Sequence, residues 1–452
     1  MNFEELARYP LLSALTDRRS RRFAAGMTLE GGPLAYRSTR PAQPLSIEEE
    51  AALAYAGCGI SGYALAELPY AATPDGQGGG NIMIRFIGRT VASGHALHYV
   101  IVFVLNDDGV WMLKRPQDFA PAELPAVLAA SGDGRLVDLY RQSRVRIADR
   151  RIDVPRRKPI VPPFNQWSAN VPGSTYFLPV NEFTADYINV LLAAFSEEFG
   201  YFLLDERQGF RPAGIAQFAK SRGGHLDDDL HHGLVATVGF FETWLYEFAA
   251  IEQGGILQNL ALMTQALGLG GFPHFAAHPF AWFQALGFRM EDVRFSRTVG
   301  ASPILATAMR LLGKDVPVPT ALGLERDGHA LLKPFCPPYY RSMRDAVLAF
   351  IETKYAAGRG AFRDGGSLTG WKDGAAVQAG IPTYSDRAIE ATIAYCEYVY
   401  RKYGRFPSNS GPFRTILAHQ AHHLDPDFYD RFYRPEVLTA TQREHQARWH
   451  TR

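Results

Sequence analysis

The chain has 452 residues, 47% of them apolar and 21% charged. That balance fits a soluble globular protein of one large domain or two to three ordinary ones. Lys plus Arg number 47 and Asp plus Glu 46, so no global field favours nucleic acid or an anionic membrane, and any anion site must be local. The opening Met1-Asn-Phe-Glu-Glu-Leu6 lacks the apolar core of a secretory signal. Even Leu257 to Leu269 is interrupted by Gln258, Asn259, Thr264 and Gln265, which leaves no bilayer span. Cys58, Cys336 and Cys396 are odd in number and far apart. They argue for a reducing compartment and against a disulfide frame or zinc ribbon. The expectation is a cytoplasmic enzyme.

In chain order, residues 1 to 25 read as helical and end in the basic cluster Asp17-Arg-Arg-Ser-Arg-Arg-Phe23. Residues 26 to 44 read as an extended connector rich in Gly, Pro and Arg. Ser46-Ile-Glu-Glu49 predicts a capping box opening a helix that runs to about Cys58. Ala71 to Gly80 is a glycine-rich loop. Tyr99 to Leu105 is a continuous β-branched and aromatic run, which predicts a strand buried on both faces. After the turn Asn106-Asp-Asp-Gly109, Val110 to Leu113 returns as a second strand.

Residues 145 to 175 are basic and proline-rich and are expected at the surface. Residues 182 to 204 read as helical, His225 to His232 as a polar loop, and Leu234 to Phe241 as another buried strand. Helical texture then runs from Thr243, with a break near Gly254, to Leu267. Further helices are expected at about 341 to 356 and 386 to 403.

The helix from Gly255 to Leu267 is apolar on most of its circumference, so it belongs in a core or an interface. It ends in Ala266-Leu-Gly-Leu-Gly-Gly271, where glycines permit a C-cap and close approach of backbone to a flat ligand. Two histidine groups raise a metal hypothesis, the loop His225 to His232, expected as a solvated lid, and a C-terminal group, expected first as surface histidines with no metal assigned. His419, His422 and His423 have i, i+3 and i, i+4 spacing, Asp425 and Asp427 follow, and His445 and His450 come later. No Gly-x-Ser-x-Gly elbow, P-loop or Rossmann fingerprint stands in the required strand-to-helix context.

Four stretches, taken together and in order, resemble the nitroreductase family, most closely the branch that includes the peptide-azoline dehydrogenases. The first is Arg18-Arg-Ser-Arg-Arg22, similar to an Arg-x-Ser-x-Arg/Lys element that holds a flavin phosphate. The second is Arg89-Thr-Val-Ala-Ser-Gly-His-Ala-Leu-His98, placed just before a strand. The third is Glu252-x-Gly followed by Gln258-Asn-Leu-Ala-Leu262 and Ala266-Leu-Gly-Leu-Gly270. The fourth is Lys333-Pro334.

The resemblance implies an α+β fold: a mixed, mainly antiparallel sheet flanked by helices, with a central buried helix. It implies residues 1–340 as a flavin-binding domain with an insertion at about 115–230, and 341–452 as a helical C-terminal extension. The implied protein is a homodimer with flavin mononucleotide at the subunit interface. It would transfer hydride from NAD(P)H or an organic substrate to a small organic acceptor.

Arg18, Arg19, Ser20, Arg22 and Lys333 would bind the phosphate. Ser93 and Gly94 would lie beside the flavin, with Gly270 and Gly271 as a wall. A backbone N–H of Phe275 or Ala276 would reach the hydride-accepting nitrogen. His95, at a normally small position of that branch, would reach substrate or flavin. Phe335 stands where the family often has a second Arg. That departure keeps two rival readings open: a flavin-free binding protein of the same shape, and a metalloenzyme ligated by the C-terminal histidines.

Overall fold

A computed structural model describes residues 3–67, 77–78, 80–275 and 278–449. Most of the Ala71–Gly80 loop, Ala276 and His450 lie outside the described residues. The expected buried strand is β1 (Val100–Asn106), with all seven residues buried. The Asn106 side chain accepts the Asp108 N–H at 2.9 Å, closing the turn into β2 (Gly109–Leu113). The remaining strands of the main sheet are β3 (Arg144–Ala148), β4 (Thr175–Glu182), β5 (Gly270–Phe275) and β6 (Leu417–His422). Their spatial order is β5-β6-β4-β1-β2-β3, every neighbouring pair is antiparallel, and Phe413–Arg414 adds a short seventh strand beside β4.

The period of two along β1 divides two cores. Val100, Val102 and Val104 face a helical layer. Ile101, Phe103 and Leu105 face Trp282, Phe283 and the strand Phe288–Arg294. A strand covered on both faces carries no polar alternation, which is why its sequence reads as an unbroken apolar run.

The helical layer contains α1 (Leu11–Asp17), α2 (Ile47–Cys58), α3 (Thr184–Ala194), α4 (Val238–Ala266), α5 (Met343–Tyr355), α6 (Asp386–Tyr403) and α7 (Ala440–Trp449). The capping box of α2 is present: Ser46 Oγ accepts the Glu49 N–H at 3.2 Å, and Glu49 Oε2 accepts the Ser46 N–H at 2.8 Å. The α+β class expected from the sequence therefore holds. Among the described residues, parallel strand pairs are Phe202–Asp205 with Val235–Thr237 and Gln77–Gly78 with Thr383–Tyr384, besides an isolated Ala219–Leu226 bridge. No helix among the described residues is long and apolar enough to cross a membrane.

Four local expectations change. The strand expected over Leu234–Phe241 spans only Val235–Thr237, because Thr237 accepts the Phe240 N–H at 3.2 Å and caps α4. Helix α4 does not break at Gly254. It runs unbroken for 29 residues, with Gly255 tucked under Val91. Residues 182–204 hold α3 and then the strand Phe202–Asp205. Residues 417–422, placed in a helical extension, form a central strand. Their side chains alternate, so His419 and His422 point to opposite faces and share no helix face.

Three histidines on β5 and β6 are buried and uncharged. Burial draws His274 down to about 4 and His419 and His422 to about 3. An unfolded chain takes up these protons near the ordinary histidine value of about 6.5. The histidine contribution to stability is therefore complete above about pH 6.5 and is lost as pH falls toward 3. Each histidine adds a slope of at most ~1.4 kcal/mol per pH unit. Urea unfolding of wild type and His419→Gln from pH 7 to 4.5 checks this: the variant's curve should be shallower by up to one histidine's slope. Parallel curves would refute a neutral buried His419.

Candidate functional site

The middle of α4 carries a buried carboxylate, Glu252, in a helix whose inner face is otherwise mostly apolar. It must find donors, and it draws them from the segment before β1. Ser93 Oγ donates to Glu252 Oε2 at 2.5 Å, and the Tyr99 and Val100 N–H groups donate at 3.2 and 3.1 Å. Arg89, itself buried, pairs with Glu252 Oε1 at 3.4 Å. Burial pushes the Glu252 carboxyl above its ordinary value, while Arg89, Ser93 and the two N–H groups pull it down.

The clamped loop is strained. His95, Ala96 and His98 have φ of 59°, 50° and 55°, left-handed backbone that non-glycine residues rarely adopt. Such strain persists only where its surroundings enforce it, and it concentrates at functional sites. The Ser93 hydroxyl also accepts the His98 N–H at 2.9 Å, and His98 Nε2 lies 2.8 Å from the Ile87 carbonyl oxygen. His98 is thus an internal residue. His95 is different: its side chain keeps 21% of its exposure, and Nδ1 lies 3.7 Å from the buried Asp186 on α3. Its ring packs 5.6 Å from that of Phe248, which lies 5.3 Å from Trp244.

About 20 Å farther along α4, at 1.5 Å per residue, the N-terminal arm meets the helix end. Arg21 is buried. It donates to Gln265 Oε1 at 2.9 Å and to the Val437 carbonyl at 2.8 Å, and its N–H bonds the Gly271 carbonyl at 3.2 Å. Arg22 donates to Ser168 at 2.7 Å and Asn165 at 3.0 Å, and its guanidinium lies 4.8 Å from the Phe272 ring centre. Arg19 is exposed and caps carbonyls of its own turn. Arg18 is half-buried and Ser20 exposed, and neither side chain hydrogen-bonds another described residue.

The glycines at the end of α4 are explained by the chain itself. A Cβ on Gly270 would stand 2.7 Å from His422 Nε2. One on Gly271 would stand 2.6 Å from the Gln420 carbonyl and 3.1 Å from His419 Nε2. The close approach expected of a flat ligand is made by β6. Phe275, half-exposed at the end of β5, accepts from Asn165 Nδ2 at 2.9 Å through its carbonyl. Gly94 has ordinary room, with Phe248 3.4 Å from its would-be Cβ. Lys333 makes no described contact with the Arg18–Arg22 arm. Its ammonium is 4.2 Å from the Tyr340 ring centre, and it lines a cavity of about 70 Å³ with Arg85, Arg115, Glu182 and Leu97 of the strained loop.

An uncovered stripe of α4 starts N-terminal to Glu252, alongside the Ser93–His98 loop: Phe240 at 58% exposure, Trp244 at 41% and Ile251 at 68%, with the exposed, charged Glu247 among them. Gly254 and Gln258 continue it at helical spacing. Helix α1, which packs on α4, adds exposed Leu11, Leu12 and Leu15.

No family model and no curated protein matches the chain. Among solved structures it is similar to a Ralstonia eutropha protein described as a "putative nitroreductase". The identity is 12%, the match covers 62% of this chain and 77% of that one, and the TM-score is 0.30. At that level the likeness carries no weight for the site, which stands on its own residues.

Two residues of the site escape a sequence reading. Arg21 sits inside the expected phosphate element but is buried against Gln265 and Val437, and an Arg run does not reveal which member turns inward. Asp186 faces His95 from a helix far along the chain, and no spacing signals it.

Glu252→Ala would strand four donors at once. Loss of one partner of a buried pair costs roughly 3–5 kcal/mol. Equilibrium unfolding should show that loss, and amides 93–100 should lose hydrogen-exchange protection selectively. A loss below about 1 kcal/mol would mean that Glu252 does not organise the loop.

Proposed function

We propose that this chain is a nitroreductase-like oxidoreductase that uses flavin mononucleotide and works as a homodimer. It would pass hydride between NAD(P)H, or an organic donor, and a small organic acceptor. The observation that carries this reading is the strained Ser93–His98 loop clamped to α4 beside the exposed Phe240, Trp244 and Ile251. Arg18 and Ser20, on the arm that meets the end of α4, have side chains with no hydrogen-bond partner among the described residues.

The residues fit the proposed cofactor in part. Arg18 and Ser20 suit a phosphate: one offers a guanidinium fork, the other a hydroxyl. Arg22 and Arg19 are committed to protein acceptors, so they shape the arm, and Gly270 and Gly271 serve internal packing. Ser93, Gly94 and His95 stand at the other end, where a flat ring would meet Phe248 and Trp244. Bound flavin supplies reversible acceptance of hydride. His95, held toward Asp186, would deliver or take up the proton that accompanies the hydride. Lys333, in a cavity that Leu97 of the same loop helps to line, suits the charged end of a donor or acceptor.

The stripe also supports the dimer. Monomers seldom leave Phe, Trp and Ile uncovered along one helix, and patches of that kind mark interfaces. A two-fold axis would lay the stripe against its own copy.

Purified protein, or protein given flavin mononucleotide, should absorb near ~450 nm, as oxidised flavin does. Arg18→Ala with Ser20→Ala should weaken flavin binding at least ~tenfold, the scale of one lost charge-assisted hydrogen bond. His95→Gln should retain flavin and lower kcat by about 10²-fold. Anaerobic bleaching by NADH or NADPH would fix the direction as reduction. A protein that stays colourless with added flavin sinks the reading.

Independently, Ile251→Glu should convert the dimer to monomer in light-scattering chromatography. An unchanged dimer, or a monomeric wild type, would refute α4 as the interface.

A further inference from the structure

We propose that Glu49, His423 and His445 form a buried site for one divalent transition-metal ion, zinc by its ligand chemistry, which ties the C-terminal helix to α2. The proposal does not rest on the flavin reading. It keeps His423 and His445 from the set that the sequence picks out, adds Glu49 and drops the others. His419 and His422 face opposite sides of β6. Asp425 caps the helix Pro426–Phe432 through the Asp427 and Phe428 N–H groups, and Asp427 pairs with Arg40 at 3.1 Å.

The three residues come from distant parts of the chain and meet in the interior. Glu49 is the third residue of α2, His423 follows β6, and His445 lies on α7. They are 2%, 4% and 7% exposed. Helix first turns are normally wet, so a carboxylate this buried needs compensation. Both imidazoles present Nε2 to it. His445 Nε2 is 2.8 Å from Oε1, and His423 Nε2 is 3.5 Å from Oε2. The rings lie side by side, centroids 5.2 Å apart and planes 20° from parallel. One ligand atom from each residue lies within 4.8 Å of the other two.

Two imidazole nitrogens and one carboxylate oxygen make a set that zinc favours and that calcium or magnesium does not. The carboxylate is oriented by the Ser46 N–H, which donates to Oε2 at 2.8 Å. Such support from outside the ligand set is typical of metal ligands. Room for the third ligand is built in as well. Gly268 has φ +71°, and a Cβ there would stand 2.6 Å from the His445 Cβ. The glycine that ends α4 therefore also admits the ligand-bearing helix. Without a metal, each neutral ring would donate its Nε2–H to the carboxylate; a bound ion would take the place of those two protons.

The test uses full-length protein without a histidine tag, stripped with a chelator and dialysed against micromolar zinc. Mass spectrometry of the metal should find about one zinc per chain. Zinc should raise the melting temperature of wild type. His423→Ala with His445→Ala should hold almost no zinc and show no thermal response. Glu49→Gln, which keeps the shape and an acceptor oxygen, should bind at least ~tenfold more weakly. Wild type that stays metal-free overturns the proposal, as does a double variant that keeps its zinc. If circular dichroism shows the double variant unfolded, His445→Gln decides by the same criteria.

Discussion

A single buried carboxylate organises the candidate site of this molecule. Glu252 sits where a 29-residue helix passes through the core, and nothing on the helix itself can satisfy it. Its donors come from the Ser93 hydroxyl, Arg89 and the first N–H groups of the segment leading into β1. The helix, the entry to the central strand and the loop between them therefore hold together as one unit. Removing any element would leave a charge or several donors unpaired in a low-dielectric interior. The same network holds three non-glycine residues in left-handed backbone, at a cost of order 1 kcal/mol each. What the strain secures is the placement of His95, turned out of the core toward Asp186 and Phe248.

The helix has two kinds of surface, and the division explains the site's shape. Its inner face is closed by α2, the sheet and the Glu252 network. Its outer face carries Phe240, Trp244 and Ile251 to solvent and is closed only at its C-terminal end, where Arg21 covers Gln265. A stripe that carries Phe240, Trp244, Glu247 and Ile251 past the strained histidine loop and continues through Gly254 and Gln258 toward the arm is a long, one-sided surface. It invites a flat, amphipathic occupant, a second copy, or both.

Much of this was readable in the amino-acid sequence, for identifiable reasons. β1 and β2 announce themselves because a strand covered on both faces needs apolar residues at every position. The Ser46–Glu49 capping box is local and needs nothing else in the chain. The central helix was visible, but its length was not: Gly254-Gly255 reads as a break, and only the contact with Val91 explains why a helix keeps a glycine there. His419 to His423 misled because helical spacing can also occur in a strand. Their β pairing depends on Gly270 and Gly271, more than a hundred residues away. The glycine turn after α4 was correctly singled out as a place of close approach. What approaches is β6, and that is tertiary information no local pattern contains.

The two ends of the argument meet at that turn. Gly268 admits His445, Gly270 and Gly271 admit His422 and His419, and Gln442 on the same C-terminal helix donates to the Leu269 carbonyl at 3.4 Å. Arg21 reaches across to the Val437 carbonyl while holding Gln265. Segments from the beginning, middle and end of the chain thus build one corner of the molecule, and the arm that presents Arg18 and Ser20 is fastened to it. The orientation of those two donors depends on the C-terminal helix staying in place. Glu49, His423 and His445 are the polar contacts that hold the helix to α2. A tie at that point stiffens the one part of the proposed cofactor site that its own sheet hydrogen bonds do not secure. The distant C-terminal residues therefore belong to the site's architecture and are no appendage to it.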